Sequence, residues 1–281
     1  MKIVAELSAN HLGSLKRALA LIDEAAKAGA DAIKLQSFTP EQMVEPGTII
    51  KSGPWAGMDA LDLYREAHTP SEWHEPIFER ARARGLIAFS SVFHPDDVDF
   101  LETLRCPIYK IASFELTDHH LIRYAAETGK PIILSTGMAS LQEIAGAAVA
   151  ATLHTPGAPR LTVLKCTSAY PASPADANLA TMADLRKRYG CAVGLSDHTK
   201  GIGVAVAAAT LGADMIEKHL TLRRSDGGLD AAFSMEPAEF KAMVTECRRA
   251  AEALGDVRYG PSAAEEAHLP LRRAPGGKRA A

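Results

Sequence analysis

Two lysines sit inside otherwise apolar runs, Lys34 in AIKLQSF (32–38) and Lys110 in IYKIAS (108–113). A lysine turned into a protein interior is costly without a counter-anion, so each marks a place where negative charge is expected. Hydroxyls close similar runs at Ser113, Ser135, Ser168 and Ser196. Ammonium groups and hydroxyls together make a cradle suited to an anion carrying both a phosphate and a carboxylate. Two histidines end the last two runs, His198 in AVGLSDH (192–198) and His219 in MIEKHLTL (215–222). On neighbouring strands they are placed to share one divalent metal and to leave positions for water or a substrate oxygen. Glu6, Glu115 and Asp230 supply candidate acids, bases or further ligands, and Gln36 and Tyr170 add neutral polar groups nearby. Because alternate residues of a strand share a face, Lys34 pairs with Gln36, Ser196 with His198, and Glu217 with His219.

The elements that hold these residues alternate regularly. Strand candidates are IVAELS (3–8), AIKLQSF (32–38), IAFSSVF (87–93), IYKIAS (108–113), PIILSTG (131–137), TVLKCTS (162–168), AVGLSDH (192–198) and MIEKHLTL (215–222). Each precedes a segment of helical period, starting near Ser14, Ser71, Asp96, Asp118, Ser140, Asp176, Ile202 and Pro237. Strict alternation implies a parallel sheet, and eight repeats within about 250 residues suit a closed (β/α)8 TIM barrel; an open doubly wound sheet is the alternative. In a barrel the active site is built at the C-terminal ends of the strands, where the polar residues collect. The barrel is expected to occupy residues 1–258, with residues 259–281 a fraying tail. Residues 39–70 form a long Gly- and Pro-containing connection on the active-site side, placed to act as a lid or substrate wall.

Composition narrows the partners. A formal charge of −3 across 281 residues leaves no basic stripe for nucleic acid and no polybasic block for a membrane surface. The four cysteines, Cys106, Cys166, Cys191 and Cys247, form no C-x-x-C pair and read as reduced thiols. The start MKIVAELSAN is too short in apolar residues for a signal-peptide core, and no later run approaches a membrane span, so a cytoplasmic location is expected. Dinucleotide, Walker A and G-x-S-x-G signatures do not occur.

The ordered set AELSANH, GADAIKLQSF, KIASFEL, KPIILSTGMAS, LKCTSAYP, GLSDHT, IEKH and GGLDAAFSMEP resembles the sialic acid synthase family over residues 3–258. Within it, KIASFEL and LYREAHTPSEWH look more like the pseudaminic acid synthase branch. The resemblance implies a barrel that condenses phosphoenolpyruvate with an open-chain acetamido sugar, releasing phosphate and forming a nine-carbon 2-keto acid. For the pseudaminic branch the acceptor is 2,4-diacetamido-2,4,6-trideoxy-altrose; N-acetylneuraminate-type or legionaminate-type acceptors are the alternatives, and a non-catalytic barrel that binds phosphoenolpyruvate or a partner is the third. A divalent metal, Mn2+, Mg2+ or Co2+, is implied, with His198 and His219 at the ligand positions. Lys34 and Lys110 fall at phosphoenolpyruvate-binding lysines, and Ser113, Ser135, Ser168 and Ser196 at the accompanying donors. Glu6 falls beside the metal and the reacting carbons, while Glu115, Tyr170 and Asp230 line the sugar side.

Two departures stand out. FSSVFHPDD replaces the family's F-S-S-P-F-D, which places Val92 and His94 at the turn and makes His94 a candidate for the acceptor wall. Members of the family also continue, after a basic segment like LRRA, into an antifreeze-protein-like domain that hands an arginine to the partner subunit. The chain, ending at Ala281, is expected to lack it, so a homodimer or a separate complementing domain is the expected partner.

Overall fold

A computed structural model describes residues 1–152, 160–273 and 276–277. Eight strands form one closed parallel barrel in sequence order: β1 (Lys2–Glu6), β2 (Ala32–Ser37), β3 (Ile87–Val92), β4 (Tyr109–Ile111), β5 (Ile132–Ser135), β6 (Leu161–Cys166), β7 (Ala192–Asp197) and β8 (Met215–His219). β1 closes the barrel by pairing with β2 on one side and β8 on the other, with Glu6 opposite both Lys34 and His219. That register puts the three polar side chains at one level of the mouth.

The strands alternate because their two faces meet different surroundings. In β2, Ile33 and Leu35 are buried on the face opposite Lys34, in the apolar layer under the helices. Burying each such side chain contributes about 1.5–3 kcal/mol. The same outer layer holds one charged pair: Lys218, between Glu217 and His219, reaches Asp197 Oδ2 and the Thr199 carbonyl, both at 2.6 Å. Asp197 therefore points away from Ser196 and His198, as strand geometry requires.

The surrounding helices are Leu15–Ala28, Ser71–Ala83, Pro95–Thr103, His119–Glu127, Leu141–Thr152, Thr181–Tyr189, Gly203–Thr210 and Pro237–Leu254. The first starts where Ser14 accepts from the Arg17 amide and stops at Gly29, whose φ of 89° gives the left-handed cap. Its apolar stripe of Ala18, Leu21, Ile22 and Ala25 faces the core.

Several boundaries differ from the sequence expectation. Ser8 and Ser113, read as strand ends, lie in 3-10 turns, Ser8–His11 and Ser113–Glu115, because the chain leaves the ladder where its side chains turn polar. Asp176 ends a separate 3-10 turn, and the sixth barrel helix starts later, at Thr181. The connection 39–70 is ordered throughout, with helices Pro40–Met43 and Ala60–Ala67 flanking a short ribbon. Beyond Leu254, the described residues to Arg273 are exposed except Ser262; the rest of the expected tail, apart from 276–277, lies outside the described residues. Among the described residues no helix is long and apolar enough to cross a membrane.

Candidate active site

The centre of the mouth is a buried charge cluster. Lys34 Nζ lies 2.5 Å from Glu6 Oε2 and 3.8 Å from Glu217 Oε1, and it donates to Ser91 Oγ at 3.1 Å. Lys110 Nζ donates to Glu217 Oε2 at 2.9 Å, and Ser196 Oγ donates to Glu217 Oε1 at 3.2 Å. Glu217 thus joins β2, β4, β7 and β8 through one carboxylate. All four charged groups are at most 5% exposed.

The two carboxylates are held in different states. Burial would raise Glu217, but Lys110 and Lys34 outweigh it and hold its pKa at about 2. Burial pushes Glu6 up to about 7, with Lys34 only partly opposing it. Burial also opposes the charge on Lys34, yet Glu217 and Glu6 keep its pKa above the usual lysine range; Lys110 is lowered by burial and by Lys34. Near neutral pH, Glu217 is the permanent counter-charge and Glu6 is the group that exchanges a proton.

Above this cluster stand the two histidines, their ring centroids 5.4 Å apart. His198 Nδ1 meets the Thr167 carbonyl at 3.0 Å, which makes Nδ1 the protonated nitrogen and leaves Nε2 as a lone-pair donor. His219 Nδ1 is buried without a hydrogen-bond partner, with Asp230 Oδ2 at 3.8 Å. Burial, reinforced by the neighbouring His198, keeps the His219 pKa well below the normal histidine range, so its ring is neutral and able to ligate. Asp230 accepts from the Ser8 hydroxyl, and burial raises its pKa. A buried imidazole nitrogen without a partner, beside a second imidazole whose Nδ1 is already bonded, suits a divalent cation. Burial opposes charge on His198, but Cys166 raises its pKa above the normal histidine range, so a cation would displace that proton. Among the described residues no three His, Cys, Asp or Glu side chains form a complete ligand set, so the two rings would share such an ion with water or substrate oxygens.

A second arc of hydroxyls lies along β4–β6. Ser113 Oγ accepts from the Gly137 amide at 3.0 Å, and a Cβ on Gly137 would fall 2.1 Å from Ser168 Oγ and 2.7 Å from Ser113 Oγ. Only glycine lets the two serines approach each other here. Ser135 Oγ is buried and unpartnered among the described residues. The Ser168 hydroxyl also meets the Tyr170 phenol, whose pKa burial raises. Glu115 is half-buried on the turn after β4, and burial lifts its carboxyl to about 7. Gln36 is half-buried on the Lys34 face of β2.

The structure therefore brings Glu6, Lys34, Lys110 and Ser196 into one contact network, and His198, His219 and Asp230 into another. Ser113 and Ser168 converge on Gly137, while the Tyr170 ring lies 4.4 Å from the His198 ring, tilted 45° to it. Sequence reasoning gave Glu217 no role beyond its strand position, although its two-residue spacing from His219 put it on the inward face. Ser91, Gly137 and Cys166 were likewise given no part. The Cys166 sulfur lies 3.9 Å from His198 Nδ1; burial would raise this thiol, but His198 brings it down to about 7. His94, expected as an acceptor wall, caps the helix Pro95–Thr103, accepting from the Asp96 amide at 3.2 Å while Asp97 accepts from the His94 amide. A ring nitrogen followed by Pro-Asp-Asp is well placed to satisfy the first free helix amides.

Residues 21–259 match the model of the NeuB family. The chain is 45% identical over 258 residues to a pseudaminic acid synthase of Campylobacter jejuni subsp. jejuni serotype O:23/36 (strain 81-176), covering 90% of this chain and 75% of that protein. It is 35% identical over 277 residues to an N,N'-diacetyllegionaminic acid synthase of C. jejuni serotype O:2, covering 96% and 82% of the two. Among solved structures, an N-acetylneuraminic acid synthetase from Leptospira borgpetersenii serovar Hardjo-bovis, in complex with citrate, superposes with a TM-score of 0.84 at 34% identity, covering 95% of this chain and 89% of that one. The family match takes in β2 to β8, and the chain belongs to the NeuB family of sialic acid synthases.

Proposed function

We propose that the barrel condenses phosphoenolpyruvate with 2,4-diacetamido-2,4,6-trideoxy-altrose, releasing phosphate and forming a nine-carbon 2-keto sugar acid. The observation that carries this reading is the pair of buried lysines held by Glu217 beside two histidines whose ring centroids lie 5.4 Å apart. A small dianion or trianion entering between Lys34 and Lys110 finds two cations already desolvated, with the hydroxyls of Ser91, Ser113, Ser135, Ser168 and Ser196 around it. The 45% identity to a pseudaminic acid synthase supports the altrose-type acceptor.

In the reaction, C3 of phosphoenolpyruvate forms a bond to the aldehyde carbon of the open-chain sugar while its C2 becomes electron-poor. Water adds at C2, and the C2–O bond to phosphate breaks, leaving the ketone. Lys34 and Lys110 hold the phosphate and carboxylate, which fixes the face that C3 presents. Glu6, poised near pH 7, takes the proton from the attacking water, and Glu115, equally poised on the sugar side, gives one to the aldehyde oxygen. His198 and His219 would hold a divalent ion, Mn2+, Mg2+ or Co2+, which when bound supplies a Lewis acid for the sugar oxygen. The four free cysteines suit a reducing compartment, and we place the reaction in the cytoplasm.

A competition assay tests this reading. Phosphoenolpyruvate is offered with equal amounts of the altrose derivative, its legionaminic counterpart and N-acetylmannosamine, and the products are resolved by mass spectrometry. The altrose adduct is expected to dominate. Dominance of either other adduct reassigns the acceptor, and bound phosphoenolpyruvate with no adduct at all makes the barrel non-catalytic.

A further inference from the structure

The connection after β2 rises over the mouth as a two-stranded ribbon. The Ile50 amide donates to the Met58 carbonyl at 3.0 Å, Gly57 to Ile50 at 2.8 Å and Ala60 to Thr48 at 2.8 Å, with Ile49 paired antiparallel to Asp59. Residues 51–57 at its tip are all exposed except Trp55. Trp55 reaches across the barrel instead of packing within the ribbon. Its Nε1 donates to the Leu229 carbonyl at 3.1 Å, in the connection after β8. Its ring lies 5.7 Å from Tyr170 and 6.3 Å from Phe233.

Those two rings continue to the chemistry: Tyr170 lies 4.4 Å from the His198 ring, Phe233 lies 5.0 Å from the His219 ring, and the two are 5.2 Å from each other. The mouth thus has two characters. Both cradle lysines come from β2 and β4, whereas the ends of β6 and β8, besides Ser168, Glu217 and Asp230, carry the aromatic rings Tyr170 and Phe233, which Trp55 of the ribbon joins. An indole held by a single hydrogen bond is a rigid apolar wall with little rotamer entropy to lose.

We propose that Trp55 is a specificity-determining residue, closing an aromatic wall with Tyr170 and Phe233 against the methyl-bearing, deoxygenated side of an acetamido sugar. This rests on the condensation reading above and assigns the part of the acceptor that the charged side cannot recognise. Sugars that carry a hydroxymethyl group in place of a methyl leave a polar group desolvated against the wall, which is the basis of the discrimination.

The test compares Trp55→Ala and Trp55→Phe with wild type in the presence of metal. Trp55→Ala is expected to raise the acceptor KM about tenfold to a hundredfold, with the phosphoenolpyruvate KM changing by less than about twofold. Its preference for the altrose derivative over N-acetylmannosamine collapses, and Trp55→Phe restores most of that preference. A second readout needs no turnover. The chain has two tryptophans, so in a Trp73→Phe background the emission comes from Trp55 alone and is expected to shift saturably as the altrose derivative is added without phosphoenolpyruvate. Unchanged acceptor KM and preference in Trp55→Ala overturn the proposal, as does a parallel rise of both KM values that Trp55→Phe does not reverse. An emission insensitive to saturating sugar overturns it as well. If the wild type makes no adduct with any sugar, the condensation reading fails, and the emission titration alone then decides whether Trp55 contacts a sugar.

Discussion

Glu217→Gln separates the charge cluster from everything else in the barrel. The substitution keeps an acceptor for Ser196 and nearly the same volume, but it removes the one carboxylate that faces both Lys110, at 2.9 Å, and Lys34, at 3.8 Å. At an effective dielectric of about 20 the two attractions are roughly 6 and 4 kcal/mol before the desolvation of the ions is counted. Breaking a buried pair from one side typically costs about 3–5 kcal/mol net. Glu6 offsets part of this, because two uncompensated lysines lower its pKa from about 7 and draw it into the ionised form. A net loss of about 3 kcal/mol corresponds to a fall in Tm of roughly 6–12 °C for a chain of this size. Inorganic phosphate then fills the vacated role, so saturating phosphate should recover more Tm in Glu217→Gln than it adds to wild type. The pH dependence has a definite sign. A carboxylate held at about 2 stabilises fully above its unfolded value of 4.5, and that stabilisation is lost as pH falls through 2. The variant lacks this acid limb. Differential scanning calorimetry across an acid-to-neutral pH series, in phosphate-free and phosphate-saturated buffer, checks all three points; equal Tm values at every pH, with equal phosphate shifts, would refute the reasoning.

Glu6 titrates in the opposite sense: its raised pKa stabilises the fold fully below 4.5, and that contribution is lost as pH rises through about 7. Urea unfolding from pH 5 to 8 should show Glu6→Gln gaining on wild type by an amount on the order of 3 kcal/mol, and a pH-independent difference would contradict the assignment. His198→Ala should abolish the stimulation of phosphate release by Mn2+, lowering turnover about a hundredfold or more, while calorimetry finds phosphoenolpyruvate binding little changed; wild-type metal dependence in the variant removes the ligand assignment. Gly137→Ala forces a methyl to within 2.1 Å of Ser168 Oγ, so the phosphoenolpyruvate KM should rise about tenfold while the Tm stays near that of wild type; an unchanged KM means the serines do not form the cradle.

Much of this site is legible one strand at a time. Lys34 and Lys110 announce themselves because an ammonium in an apolar run needs a reason, and the spacing Ser196–His198 predicts which face each side chain takes. The β-then-α rhythm predicts the barrel for the same reason: period two and period 3.6 are properties of local geometry. What stays hidden depends on closure. Glu217 acts as counter-charge to lysines on β2 and β4, contacts across 183 and 107 positions of chain, and nothing local states that those three strands face one another. Trp55 meets Leu229 across 174 positions, from within a segment that reads as a lid or substrate wall without showing which strand end it covers. His94 shows the converse: its position at the strand end suggests the site, while the structure also gives its ring nitrogen to the free amides of a nearby helix start.

Acceptor-dependent cleavage of phosphoenolpyruvate tests the central claim most directly. Phosphoenolpyruvate carrying 18O in the oxygen that bridges C2 and phosphorus is incubated with Mn2+ and the protein, with and without the altrose derivative. The account predicts phosphate release only when the sugar is present, with the 18O in the phosphate because the C–O bond is the one that breaks. Phosphate released equally without the sugar, or 18O retained in the sugar acid, would contradict it.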